Sequence, residues 1–311
     1  MNALVVVEIG GTSVKVGFGE NGRPRDVTRT YPTARIRNAD PAAALAALIT
    51  EASREISLTP ARVVATVPGF LAHDFDTVLH ARNVPELDGH RIATELSAVL
   101  GLPVRLERDV VLQLLGEASA GAVAGESEIL AVYIGTGIGA AYLGAEGIFR
   151  GGGWALELGH IPMRGPAPGE HPESLEHHAS GAALAALAGR HRVPVASAFL
   201  GAGDPAFHAA LEQLVHDQAL AIVTALTLFS PRRLLLGGGV VAMENFPRAV
   251  LESHIRAWLP GGRGVQPPEI VYTSLGWQAA IWGALALDDA VTPASPRKPG
   301  YRGDGHGASD P

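Results

Sequence analysis

The sequence predicts an α/β fold built as two related halves, each a β-hairpin with glycines at its bend followed by helices and further strands. Two observations carry this. Short apolar runs at Leu4–Val7 and Ile129–Ile134 each enter a glycine turn, and a second strand follows each, at Lys15–Phe18 and Ala140–Leu143. "VVVEIGGTSVKVGF" and "AVYIGTGIGAAYL" thus read as two versions of one device, the mark of internal duplication. After each hairpin, helical patterns alternate with buried-strand patterns, as in α/β proteins.

After the first hairpin, Asp40-Pro41 opens a helix, with Asp as N-cap and Pro at the first helical position. Val63–Val67 reads as a buried strand ending at Pro68-Gly69, and Val104–Leu106 as another, running into a helix that begins near Asp109. In the second half, Asp204-Pro205 caps a long helix through Phe229. Its residues Phe207, Leu211, Leu214, Ile222, Leu226 and Phe229 recur at helical spacing. Leu234–Leu236 is a strand running into Gly237-Gly238-Gly239, Ile270–Tyr272 another, and Trp277–Leu287 a closing helix. The expected organisation is a first domain over residues 1–112 joined by the closing helix at 276–288, a second over 113–275, and a disordered tail at 289–311 with too little apolar content to pack.

Composition narrows the function classes. The 311 residues are 47% hydrophobic and 18% charged, with 38 glycines and 22 prolines, a turn-rich globular profile. A net charge of −7 with no Lys/Arg cluster argues against a nucleic-acid or anionic-membrane partner. With no cysteine, disulfides, thiolate catalysis and Cys-ligated zinc are excluded. The N-terminal apolar run has no basic leader and falls far short of the ~20 residues of a membrane span, so a cytoplasmic location is expected.

Three glycine turns follow β-rich runs: Gly10-Gly11-Thr12, Gly135-Thr136-Gly137 and Gly237-Gly238-Gly239. Each alone reads as an ordinary tight turn. Together, at strand ends, they suit phosphate binding, since glycine lets backbone N–H groups approach a phosphate closely, and Thr12, Thr136 and Lys15 offer further donors. Neither GxxxxGK[ST] nor GxGxxG occurs. In "RLERDVVLQLLGE", residues 105–117, charge crowds the joint between strand and helix. Asp109 there is either a helix cap, a catalytic carboxylate, or both.

In these motifs the chain resembles the ROK family, sugar kinases and repressors within the actin-like ATPase superfamily. "EIGGTSVKVGF" is similar to the family's first phosphate motif, "ATVPGF" to its substrate-side Pro-Gly loop, and "LERDVVLQLLGEA" to its Glu-Asn-Asp segment. "YIGTGIGAAYL" resembles the second phosphate motif, "GGGWALELGHIPM" the Glu-x-Gly-His signature, "SLEHHASGAAL" the Leu-Glu element after it, and "SPRRLLLGGGVV" the nucleotide-side loop. They come in family order from residue 4 to about 285.

The resemblance implies two actin-like (ribonuclease H-like) α/β domains with the site in the cleft between them and the nucleotide mainly on the second. It implies an ATP-dependent sugar kinase using Mg²⁺, with Asp109 as the base that takes the proton of a primary hydroxyl. Pro68, Gly69, Asn83, Arg108, Glu157, His160 and Glu176 are then the substrate-side residues. Gly10, Gly11, Thr12, Lys15, Gly135, Thr136, Gly137, Gly238 and Gly239 are the ATP-side residues. A homodimer stays open.

Three departures bear on function. The family's Asp in the first phosphate motif is Glu8, a methylene longer, and is expected still to orient Mg²⁺ or its waters. Relatives often bind structural zinc through three cysteines between His160 and the Leu-Glu element. "RGPAPGEHPESLE" has none, and His171 with Glu170 or Glu173 is a poor substitute, so no zinc site is expected. The family's Asn before the catalytic Asp is Arg108, which is longer, charged and donor-only. Either Arg108 turns away to pair with Glu107, or the substrate differs from glucose: a modified sugar, an aminosugar or a C7-cyclitol of a biosynthetic pathway. The alternatives are a plain glucokinase or N-acetylhexosamine kinase, a catalytically dead sugar-binding regulator, and a repressor. The repressor reading lacks a basic recognition helix ahead of residue 4.

Overall fold

The computed structural model describes residues 3–37, 40–81, 83–163, 165, 169–261 and 266–287. The expected tail at 289–311 lies outside them. The first hairpin is β1 (Leu4–Ile9) and β2 (Ser13–Glu20), and β2 continues into β3 (Arg23–Pro32), α1 (Ala34–Arg37) and α2 (Pro41–Glu55). Next come β4 (Arg62–Thr66), the short pair β5 (Phe70–Leu71) and β6 (Val78–His80), α3 (Ile92–Leu100), β7 (Val104–Glu107) and α4 (Asp109–Ala120). The second half runs β8 (Ile129–Ile134), β9 (Ile138–Gly144), β10 (Gly147–Ile148), α5 (Glu176–Ala179), α6 (Gly181–Arg190), α7 (Pro205–Phe229), β11 (Arg233–Gly237), α8 (Arg248–Trp258), β12 (Glu269–Tyr272) and α9 (Gln278–Ala286).

The duplication read from the two hairpins is written in the sheets. One has the order β3-β2-β1-β4-β7, the other β10-β9-β8-β11-β12. In each, an antiparallel hairpin leads into two parallel strands. β1 and β8 are buried along nearly their whole length, as parallel-sheet centres covered on both faces must be. The Asp-Pro starts behave as their chemistry requires: Asp40 accepts from the Ala43 N–H at 2.7 Å and Asp204 from the Phe207 N–H at 2.7 Å. The long edge strand β3 has no counterpart in the expectations; its charged, alternating residues lack the apolar run of a central strand.

α4 and α9 exchange sides, and this crossing positions the site. α4 leaves the first sheet but buries Val110, Val111 and Leu114 against the second, with Ile129, Ala131 and Leu235. α9 leaves the second sheet and buries Ala280, Ile281 and Ala284 against Leu4, Val6 and Val64 of the first. Where they cross, a Cβ on Gly116 would lie 1.9 Å from the Ala279 carbonyl oxygen, and one on Gly283 1.9 Å from that of Leu112. Only glycine permits so close an approach of two helix backbones. Glu117, fully buried, ties the same helix to the α9 entry by accepting from the Ser274 and Leu275 N–H groups at 2.8 and 2.9 Å.

Candidate active site

A cleft of about 740 Å³ opens at the ends of the parallel strands, and every residue that the resemblance assigns to substrate, ATP, Mg²⁺ or catalysis lines it, while Gly237 of the third turn does not. Asp109, Glu8 and Lys15 are there, as are Pro68, Gly69, Asn83, Arg108, Glu157, His160 and Glu176. So are Gly10, Gly11 and Thr12 from the first turn, Gly135, Thr136 and Gly137 from the second, and Gly238 and Gly239 from the third. Elements as far apart in the chain as β1 and β11 meet because equivalent strands of the two sheets end at one gap.

The turns are locally braced. Gly10 donates to the Ser13 carbonyl at 2.9 Å, and the Thr33 hydroxyl donates back to the Gly10 carbonyl at 2.6 Å. The second turn docks on the start of α6: Gly181 and Ala182 donate to the carbonyls of Gly135 and Thr136 at 2.7 and 3.0 Å. Gly238 holds φ +96, and a Cβ there would lie 2.4 Å from the Ile134 carbonyl oxygen, so no side chain fits.

Asp109 begins α4, and its Oδ1 accepts from the next residue's N–H, Val110, at 2.7 Å. Arg108 holds the N-cap position and Asp109 is the first helical residue, so Asp109 binds an amide of the first turn rather than capping the helix, and it lines the cleft. Glu8 lies opposite. Burial pushes its carboxyl above the ordinary carboxylate range, Lys15 at 3.8 Å pulls it back, and the charge of Asp109 pushes it up again. Glu157 is raised chiefly by burial, a shift opposed by Arg108 and His160 and reinforced by Asp109 and Glu176. Two acidic groups raised mainly by burial thus line the same cleft as Asp109, each with a cation beside it, Lys15 for Glu8 and Arg108 for Glu157.

The first of the two expectations for Arg108, that it turns away to pair with Glu107, is corrected. Glu107, fully buried, is taken by Arg150 through two bonds of 2.8 and 2.6 Å, has Arg105 at 3.8 Å, and accepts from Arg108 through that residue's backbone N–H alone. The Arg108 guanidinium stays on the cleft wall, donating to the carbonyls of Ala155 at 2.7 Å and Ala140 at 3.1 Å, and pairs with Glu157 Oε1 at 3.0 Å. Its charge answers the carboxylate that the resemblance assigns to sugar binding. His160 packs its ring on Phe70 at 4.9 Å, joining the β5 segment to the second half.

Some cleft residues were not anticipated. Arg37 donates to the carbonyls of Gly11 at 2.9 Å and Asn83 at 3.0 Å, fastening the first phosphate-type turn to the substrate-side segment. Nothing local marks an arginine 26 residues downstream as that clamp. Tyr133, one residue before Ile134, also lines the cleft, and its buried hydroxyl has no hydrogen-bond partner among the described residues. Burial, then Glu117 and Asp109, push that phenol well above its usual range. The cysteine-free segment after His160 is closed at its base by Met163 donating to the Glu173 carbonyl at 2.9 Å and Leu175 to that of Ile161 at 2.8 Å. Among the described residues no group of three His, Asp or Glu side chains is set to hold a metal.

Two equivalent sheets with a shared cleft, glycine turns on both walls and crossing helices behind define the actin-like two-domain class of α/β proteins. Within that class, the chain belongs to the ROK family, whose sequence profile matches residues 4–290. It is 27% identical to the N-acetyl-D-glucosamine kinase of Escherichia coli O127:H6 (strain E2348/69 / EPEC) over 260 residues, 77% of this chain and 84% of that one. It superposes with a TM-score of 0.75 and 25% identity on the ROK family glucokinase of Streptomyces griseus in complex with glucose and AMPPNP, covering 92% of this chain and 99% of that one. A ROK family transcriptional regulator, described as a homologue of the E. coli MLC protein, superposes with a TM-score of 0.77 at 20% identity, over 93% of this chain and 78% of that one; this likeness is one of fold. Among the described residues no helix is long and apolar enough to cross a membrane.

Proposed function

We propose that the chain is an ATP-dependent kinase that phosphorylates a primary hydroxyl of a hexose or hexose-like molecule. The observation that carries this reading is the convergence of Asp109 with three glycine turns and with Glu157, His160 and Glu176 in one cleft. In this reading Asp109 accepts the acceptor's hydroxyl proton as that oxygen bonds to the γ-phosphorus and the bond to the ADP oxygen breaks. The turns at Gly10–Thr12, 135–137 and 238–239 bring backbone N–H groups to the phosphates, and Lys15 adds a cation. Glu157, His160 and Glu176 hold ring hydroxyls, and an analogue lacking one leaves a buried polar group unpaired.

Mg²⁺ suits the donors present. Glu8 and Asp109, both on the cleft wall, would hold it together with phosphate oxygens, in keeping with Mg²⁺ sites of one or two carboxylates. When bound, the ion neutralises charge on the transferring group.

For the substrate, the reading is a modified sugar, an aminosugar or a C7-cyclitol, against glucose or an N-acetylhexosamine. Arg108 supports it, because with Oε1 of Glu157 engaged, fewer acceptor positions remain for ring hydroxyls. An aminosugar would have to turn its amine away from this guanidinium. The likeness to an N-acetylglucosamine kinase and to a glucokinase supports the plainer alternatives. A cytoplasmic setting accords with ATP as donor. The division at about residue 112, with the closing helix returning to the first unit, belongs to the same proposal and is supported by the α9 contacts on β1 and β4.

The test is ADP release with ATP, Mg²⁺ and a panel of sugars, aminosugars and cyclitols. Turnover lowered by about 10²–10⁴-fold in Asp109→Ala is expected. Equal turnover by that variant, or none with any acceptor, would overturn the reading.

A further inference from the structure

A second cavity, of about 570 Å³, opens against the cleft and shares two of its walls, Glu157 and His160. Its remaining lining is almost entirely apolar, with Phe70, Trp154, Leu156, Ile161, Leu228 and Phe229 around it. Trp154 is 61% exposed and Leu228 72% exposed, so large apolar side chains stand in water beside a polar site. Contiguous exposed apolar surface of this kind marks binding. Phe70, in the lining of this second cavity, packs its ring on His160 at 4.9 Å.

We propose that this cavity is an acceptor subsite for an apolar substituent, an acyl or alkyl chain of several carbons attached to the sugar-like ring that Glu157 and His160 hold. The inference rests on the kinase reading and narrows its substrate class. The occupant is argued from continuity: the cavity shares Glu157 and His160 with the cleft, so an apolar group carried by the ring those side chains would hold can reach into it. A second hydroxyl-bearing ring is disfavoured, since beyond Glu157 and His160 the lining offers no charged side chain to pair with it. An acetyl group leaves most of the space unfilled, whereas each further methylene removes apolar surface from water on both partners.

The test compares two series in the ADP-release assay: N-acylglucosamines from acetyl to hexanoyl and alkyl glucosides from methyl to hexyl. In at least one, kcat/KM is expected to rise by about fourfold per added methylene, mostly through KM. In Trp154→Ala and in Leu228→Ala the gain per methylene should shrink. Both side chains are largely solvent-exposed, and circular dichroism verifies their folding. Turnover of the shortest members with flat or falling values in both series overturns the subsite and leaves the kinase reading standing. Absence of turnover with every sugar overturns both. A dimer in sedimentation that Trp154→Asp dissociates, with longer chains rejected, would mean that a second copy covers this face, and likewise overturns the subsite.

Discussion

Replacing Arg108 with Asn tests how the ion pair on the cleft wall is balanced. The shorter amide cannot span to Ala140 and Ala155, so two carbonyls lose their donor and Glu157 loses its counter-charge. The two side chains are 11% and 19% exposed, which makes the pair mostly but not wholly buried. Removing one partner of a buried pair costs 3–5 kcal/mol, and with this residual exposure the low end, about 3 kcal/mol at pH 8, is expected. The loss has a pH signature. Glu157 already has a folded-state pKa raised above 4.5, mainly by burial and against the pull of Arg108. A carboxyl raised in this way contributes stability fully below its unfolded pKa and loses it as pH rises through the folded one. Without Arg108 the folded pKa climbs further, so the penalty extends to higher pH and grows. The gap between wild type and variant should therefore be smallest near pH 4.5 and largest at pH 7–8. Urea unfolding followed by circular dichroism at both ends of that range measures it. An equal gap at both pH values would show that Glu157 does not depend on Arg108 for its charge and refute the reasoning. A shift of substrate preference toward glucose in the same variant would support Arg108 as a specificity residue.

Gly283→Ala drives a methyl into the Leu112 carbonyl at the α4–α9 crossing, and a loss of about 1–3 kcal/mol or more in urea unfolding is expected. A neutral result would mean that the helices part easily there. Glu107→Gln leaves Arg150, itself a quarter exposed, with half of its two-point partner at a buried carboxylate, and the unfolding midpoint should fall by the equivalent of about 1–3 kcal/mol. If the midpoint stays put, Arg150 has another partner to turn to. Dialysis against a zinc-selective chelator should leave the unfolding midpoint unchanged, whereas removal of Mg²⁺ should stop ADP release; a midpoint that falls on zinc removal would reveal a ligand set without cysteine.

Much of the candidate site was legible because its chemistry sits in short contiguous stretches. A β-branched strand that runs into Gly10-Gly11-Thr12 or Gly135-Thr136-Gly137 has few conformations open to it, so the turns and their hairpins follow from backbone sterics alone. The Asp40-Pro41 and Asp204-Pro205 starts follow from hydrogen bonds within one helical turn. Asp109 was legible as a charged residue at a strand-to-helix joint, whereas the roles proposed for it and for Glu157 and His160 came from the family resemblance of their motifs. The pairing of the two hairpins also pointed to the repeated order of the two sheets before any contact was known.

Tertiary structure decided what depends on residues far apart in the chain. Arg150 reaches Glu107 across 43 residues and Arg108 reaches Ala155 across 47, so no local pattern could tell which arginine serves which carboxylate. Arg37 clamps the first turn for the same reason, and the exchange of α4 and α9 between sheets shows only once their glycines meet. Sequence by itself determined the local conformations and the kinds of chemistry offered, since those are set by neighbours within a few residues. Folding decided the charge partner of Arg108 and opened the apolar space beside His160, because burial and pairing exist only after distant strands have closed on one another.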